Sequence, residues 1–115
     1  MTALAIDPTR IDVRTAPLPA GCVVTVTGEV DSMTAPGLRE SLLEVLSRPG
    51  VARVEVDLSR VTFLDSAGLS ALATAHRTAA AAGRGLHFRC GTARAVVRPL
   101  QITGLWDVFS VVDAG

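Results

Sequence analysis

Arg53-Val54-Glu55-Val56-Asp57-Leu58 and, shortly after it, Phe63-Leu64-Asp65-Ser66-Ala67-Gly68-Leu69 decide how this chain folds. The first run alternates strictly, with Val54, Val56 and Leu58 on one side, as a half-buried strand requires. A loop is predicted from there to Ser66. Beyond it a helix is predicted over residues 67–82, with Leu69, Leu72, Ala73 and His76 as its inward stripe. Ala79 to Ala82 is strongly helix-forming, and Gly83 and Gly85 end the segment. Ser66 thus falls between a strand and a helix, where a small hydroxyl side chain is displayed at the helix mouth.

The neighbouring segments extend the pattern. Ile11-Asp12-Val13-Arg14 reads as a short strand, Pro17, Pro19 and Gly21 as a turn, and Cys22 to Thr27 as a β-branched strand. The two strands are predicted to pair antiparallel. Gly28-Glu29-Val30-Asp31 is predicted to leave the second strand, with Ser32 and Thr34 as candidate helix caps and Pro36 at an early helical position. That helix is predicted to reach about Ser47, with Leu38, Leu42, Val45 and Leu46 on one face, before Pro49-Gly50 stops it. A right-handed crossover then leads to the strand at Arg53. Leu86 to Cys90 is the next strand. A third helix is predicted from Thr92 or Ala93 to Gly104, where Pro99 forces either a kink or a split with a second helix starting at Pro99. Val108 to Val112 reads as a last strand. Strands alternating with helices imply an α/β layer fold with a partly parallel sheet.

A chain of 115 residues makes one domain and can bury a core without disulfides or metal. Hydrophobic residues form 49% of it and aromatics only 3%, so Val, Leu, Ile and Ala must build the core. Eleven basic and eleven acidic residues cancel, which argues against non-specific binding to nucleic acid or to a membrane surface. No window of about 20 apolar residues could span a bilayer. The N-terminus lacks a basic start and a long apolar stretch, so no signal peptide is expected and the cytoplasm is the expected compartment. Residues 1–10 are expected to form a flexible or edge segment and residues 11–115 the domain.

Cys22 and Cys90 lie far apart and in no metal-ligand spacing, so buried thiols are expected. His76 and His87 stand alone, so no metal site is expected. Arg77, Arg84, Arg89, Arg94 and Arg98 read as solvated surface charges. Trp106, near Phe109, either packs the C-terminal segment onto the core or serves as an exposed anchor. A serine hydrolase is disfavoured. The chain lacks the glycine two residues before Ser66 that a nucleophile elbow requires, and no base is placed to activate the hydroxyl. No glycine-rich phosphate loop is present, and no cofactor is expected. Ser66 reads instead as a phosphorylation site on a protein-binding module, or as a simple helix cap.

Gly28-Glu29-Val30-Asp31, Thr34-Ala35, Asp57-Leu58, Phe63 to Leu69, and Thr103-Gly104-Leu105 with Phe109 together resemble the STAS domain. More narrowly, they resemble stand-alone bacterial anti-sigma factor antagonists. The likeness runs from about Ile11 to Val112. It implies a single STAS-like domain with a four- to five-stranded mixed β-sheet and helices packed mainly on one face. It also implies partner switching. The unphosphorylated domain binds an anti-sigma factor that is a serine kinase and so releases a sigma factor. Phosphorylation of Ser66 by that kinase loosens the complex, and a serine phosphatase restores it. ATP and magnesium belong to the kinase. Asp65, Asp31, Gly68, Glu29 and Thr34 are the implied partner-binding residues, and the free chain is expected to be a monomer or weak dimer. Pro99 and Val30 depart from the usual family residues.

The residues themselves leave alternatives at each position. Asp65, Asp31 and Thr34 could each cap a helix, and Glu29 could be a solvated charge. Gly68 serves either a close partner approach or tight internal packing. A constitutive STAS subunit of a larger lipid-transport or stress-sensing assembly would share the fold without the switch.

Overall fold

A computed structural model describes residues 11–112. Its elements are β1 (Ile11–Leu18), β2 (Gly21–Val30), α1 (Ala35–Leu46), β3 (Arg53–Leu64), α2 (Ser66–Ala82), β4 (Gly85–Arg89), α3 (Arg94–Thr103), α4 (Leu105–Val108) and β5 (Val111–Val112). The expectation for residues 1–10 lies outside the described residues.

The five strands form one mixed sheet in the order β1-β2-β3-β4-β5. Only the β1–β2 pair is antiparallel; β2 to β5 run parallel. Because the strands follow one another in sequence order, right-handed crossovers place α1 and α2 on the same face, where they pack together. Side-chain alternation supplies the matching apolar surface. Val24, Val56 and Phe88 sit side by side in register and are fully buried. Cys22, Val54 and Leu86 form the parallel row below them. Leu38, Leu42, Val45 and Leu46 of α1 close over this surface, as the sequence spacing requires. Phe109 stacks on Phe88 with ring centroids 4.7 Å apart, and Trp106 lies half-buried against the same core.

Several elements differ from expectation. β1 runs on to Leu18, through Pro17, because an edge strand loses no ladder bond at a proline. The turn is Pro19-Ala20. β2 does not end at Thr27. It continues through Gly28 and Glu29 to Val30, with register shifts that bend it against β3. Likewise, no loop follows Leu58: β3 continues to Leu64, and Asp65 alone separates it from α2.

α2 buries Gly68, Ala71, Leu72, Ala75 and Ala79, while Leu69, Ala73 and His76 are only half-buried. Small residues count little by hydrophobicity but let the helix approach closely, so they won the inward face. α3 is unbroken across Pro99, and the chain breaks instead at Gly104, whose φ is 80°. Pro99 deprives the Ala95 carbonyl of its usual donor, but the helix is short enough to absorb one lost bond. Thr103 Oγ1 donates to the Pro99 carbonyl at 2.7 Å and closes the last turn. β5 holds only Val111 and Val112, since Val108 ends α4.

Two of the supposed surface arginines are tethered. Arg89 Nε donates to Glu55 Oε1 at 2.8 Å, on the sheet face opposite the Val24 row. Arg84 donates to the carbonyls of Arg48 and Val51, tying the start of β4 to the α1–β3 loop. Both cysteines are buried and free, and burial pushes the Cys90 thiol up to about 11. No described helix is long and apolar enough to cross a membrane.

Candidate functional site

Parallel β2 and β3 end side by side, with Glu29 beside Phe63 and Val30 beside Leu64. The loops that lead into α1 and α2 therefore leave the sheet from one edge. Asp65 N–H still donates to the Val30 carbonyl at 3.2 Å, so the two chains part only after Val30 and Asp65.

Each exit is clamped by an aspartate. Asp65 adopts an extended backbone, and its Oδ1 accepts from Ala67 N at 2.9 Å and from Gly68 N at 3.1 Å. It thus satisfies two of the unpaired donors at the start of α2. Asp31 does the same for the other loop: its Oδ1 accepts from Met33 N at 2.9 Å and from Thr34 N at 3.1 Å. Thr34 occupies the cap position of α1 without capping forward. Its hydroxyl turns back, accepting from Asp31 N at 2.9 Å and lying 2.8 Å from the Glu29 carbonyl. Ser32 caps nothing.

Gly68 lies in the first turn of α2 and is buried. A Cβ there would meet the Leu64 side chain, and would lie 2.8 Å from Val30 Cγ1 and 3.2 Å from the Val30 carbonyl. Its smallness is therefore spent inside the domain. It lets α2 sit directly on the ends of β2 and β3.

Ser66 is the first residue of α2 and is exposed. Its hydroxyl makes no hydrogen bond with the described residues, in contrast to the two aspartates beside it. Of the residues singled out in sequence, Glu29 and Ser66 are exposed, Asp31, Thr34 and Asp65 are half-buried, and Gly68 is buried. All six gather at this one edge. Three further residues join them. Met33 is 77% exposed and Phe63 is 47% exposed, which leaves apolar surface beside Ser66. Arg39, on α1, lines a groove against the first turns of α2. Phe63 was within the quoted motif, but nothing in the sequence distinguished Arg39 from other helical arginines.

A model of the STAS domain family, described as "Mlab, STAS domain", matches residues 13–112. The chain belongs to the STAS domain family. Among STAS proteins it is similar to the anti-sigma-F factor antagonist RsfB of Mycobacterium tuberculosis, with 35% identity over 103 residues, 89% of this chain and 81% of the relative. It is also similar to an anti-sigma-B factor antagonist of Listeria monocytogenes, with 30% identity over 76% of this chain and 75% of the relative. The crystal structure of an anti-sigma factor antagonist from Mycobacterium paratuberculosis superposes with a TM-score of 0.81 at 30% identity, covering 91% of this chain and 87% of that one. The mixed sheet with helices on one face is thus the STAS architecture that the residues of the β3–α2 junction suggested.

Proposed function

We propose that this STAS domain is an anti-sigma factor antagonist controlled through Ser66. In its unmodified form it binds an anti-sigma factor with serine kinase activity, and so frees a sigma factor. The kinase transfers the γ-phosphoryl group of ATP to Ser66 Oγ. The complex then loosens, until a serine phosphatase removes the phosphate. This chain is regulatory; the catalytic groups, ATP and magnesium belong to the partner.

The observation that carries this reading is the unengaged, exposed hydroxyl of Ser66 at a rigidly clamped helix start. The names of the relatives support the same role. A phosphate adds about −1.5 to −2 charges. Charges about 6 Å apart at an effective dielectric near 20 repel by roughly 3 kcal/mol before screening. A loss of about 1.4 kcal/mol already weakens binding tenfold. Modification beside Asp65 is therefore large enough to evict a partner docked over Met33, Phe63 and Ser66.

Incubation with the anti-sigma kinase and ATP should add one phosphate, mapped by mass spectrometry to residue 66. Ser66→Ala should hold the kinase persistently, and Ser66→Asp should bind it at least tenfold more weakly. Equal binding by Ser66→Asp and the parent would refute the switch. Indifference of both variants would favour the second reading, a constitutive subunit of a larger assembly that shares the fold without the switch.

A further inference from the structure

We infer that Arg39 is the internal counter-ion of the phosphorylated state: it captures the phosphoryl group on Ser66 across the α1–α2 groove. This rests on the reading of Ser66 as the phosphoacceptor.

The groove is lined by Ser32, Ala35, Pro36 and Arg39 on one side and by Ala67 and Ser70 on the other. It stays open because nearly all of these side chains are small. Arg39 is the only charged residue in the lining, and among the described residues it makes no hydrogen bond or ion pair. Its nearest helical neighbour of opposite sign is not available to it, because adjacent Glu40 points round the helix by about 100°. Glu44, one turn on, is already taken by Arg48 at 2.7 Å. The aspartates at the site are likewise engaged with backbone donors. A solvated arginine therefore faces the groove with its fork unspent.

Ser66 does not line the groove itself but immediately precedes the residues of α2 that do. Ala67, its neighbour, and Ser70, one turn further along the same side of α2, both line it. A phosphate on Ser66 Oγ projects three acceptor oxygens toward the groove. The guanidinium fork suits them in a bidentate pair, and the Ser70 hydroxyl can donate to a remaining oxygen. Held there, the phosphate fills the groove as well as charging its rim. A partner that uses the groove is then excluded by volume and not only by repulsion. The unphosphorylated surface, with the groove open, is the binding form.

The test uses the full chain with phosphoserine installed at position 66 by genetic encoding, so no kinase is needed. Titration of the phosphate by ³¹P NMR reads its second pKa, about 6 when unperturbed. In the parent it should lie at least about 0.5 pH unit below that of the Arg39→Gln protein, because a paired guanidinium favours the dianion. Arg39→Lys should recover part of the difference. Arg77→Gln, about 16 Å along α2 from Ser66, should behave as the parent. An Arg39→Gln titration identical to the parent's would overturn the inference. So would an Arg77→Gln effect as large, which would make the parent value a general field. Arg39 is exposed, so the variants should keep the parent's proton–nitrogen spectrum away from the groove. A kinase that fails to modify Ser66 would refute the proposed function but leave this titration readable.

Discussion

The starts of α2 and α3 each follow the C-terminal end of a parallel strand, yet they are built differently. At α2 an aspartate cap ties two backbone donors, and Gly68 lets the helix rest on Val30 and Leu64. At α3 the cap position holds Ala93, with no side-chain bond to the helix. A backbone turn substitutes, in which Ala93 N–H donates to the Cys90 carbonyl at 3.2 Å. The two arginines that follow, Arg94 and Arg98, lie toward the positive end of the helix dipole, where they add nothing. The helix that displays Ser66 is thus the one whose first turn is held by both packing and hydrogen bonds. A hydroxyl can be offered to a kinase and still be fixed in place, because its neighbours, not its own oxygen, hold the turn.

The contrast is broken most severely at Gly68. Gly68→Val forces carbon atoms against Val30 and Leu64, and overpacking of this kind costs about 1–3 kcal/mol. At the upper end of that range the melting temperature should fall by roughly 10 °C, measured by calorimetry. Gly104→Val after α3, where φ is 80° and a Cβ would meet nothing within 4 Å, gives by contrast the cost of backbone strain without overpacking. Asp65→Ala comes next. Loss of the cap should cost about 1–2 kcal/mol and raise hydrogen exchange at Ala67 and Gly68 in particular. Ala93→Asp should move α3 toward the α2 design and stabilise the domain by about 0.5–1 kcal/mol, through a cap placed beside Arg94. No gain in denaturant midpoint would mean that the Cys90 turn already satisfies this end.

A further perturbation is alkaline pH acting on Cys90 itself. Burial raises the folded thiol from 9.0 to about 11, so the folded state keeps its proton where the unfolded chain has lost it. Stability should be level below about pH 9 and decline as pH rises toward 11. Cys90→Ala, which removes the thiol, should flatten that decline, as followed by urea unfolding between pH 8 and 11.

Much of this comparison is legible in the chain. Aspartate before a helix, with a glycine three residues on, marks the α2 start by chemistry that acts over one turn. The alternation of Val54, Val56 and Leu58 placed β3 on the sheet, and the spacing of Leu38, Leu42, Val45 and Leu46 oriented α1 correctly. The misses share a cause. The lengths of β2 and β3 depend on each other, because Glu29 and Val30 stay extended only with Phe63 and Leu64 alongside. The inward face of α2 depends on how near the sheet lies, and that favoured glycine and alanine over leucine and histidine. Pro99 was expected to kink the third helix or to split it; the split does not occur there, because a single lost bond is outweighed by burial of Val96 and Leu100.

At the site, Ser66 and Asp65 could be found by reading along the chain, whereas Arg39 could not. Residues 39 and 66 belong to different helices, and only the crossovers that lay α1 beside α2 bring Arg39 to a groove walled by the residues just after Ser66. What sequence alone determined was the main strands and helices, the aspartate at the start of α2 and the displayed serine, because these follow from interactions between residues one to four apart. What tertiary structure decided was strand length, the buried side of α2 and the pairing of groove walls, because those energies arise between segments that share no local code.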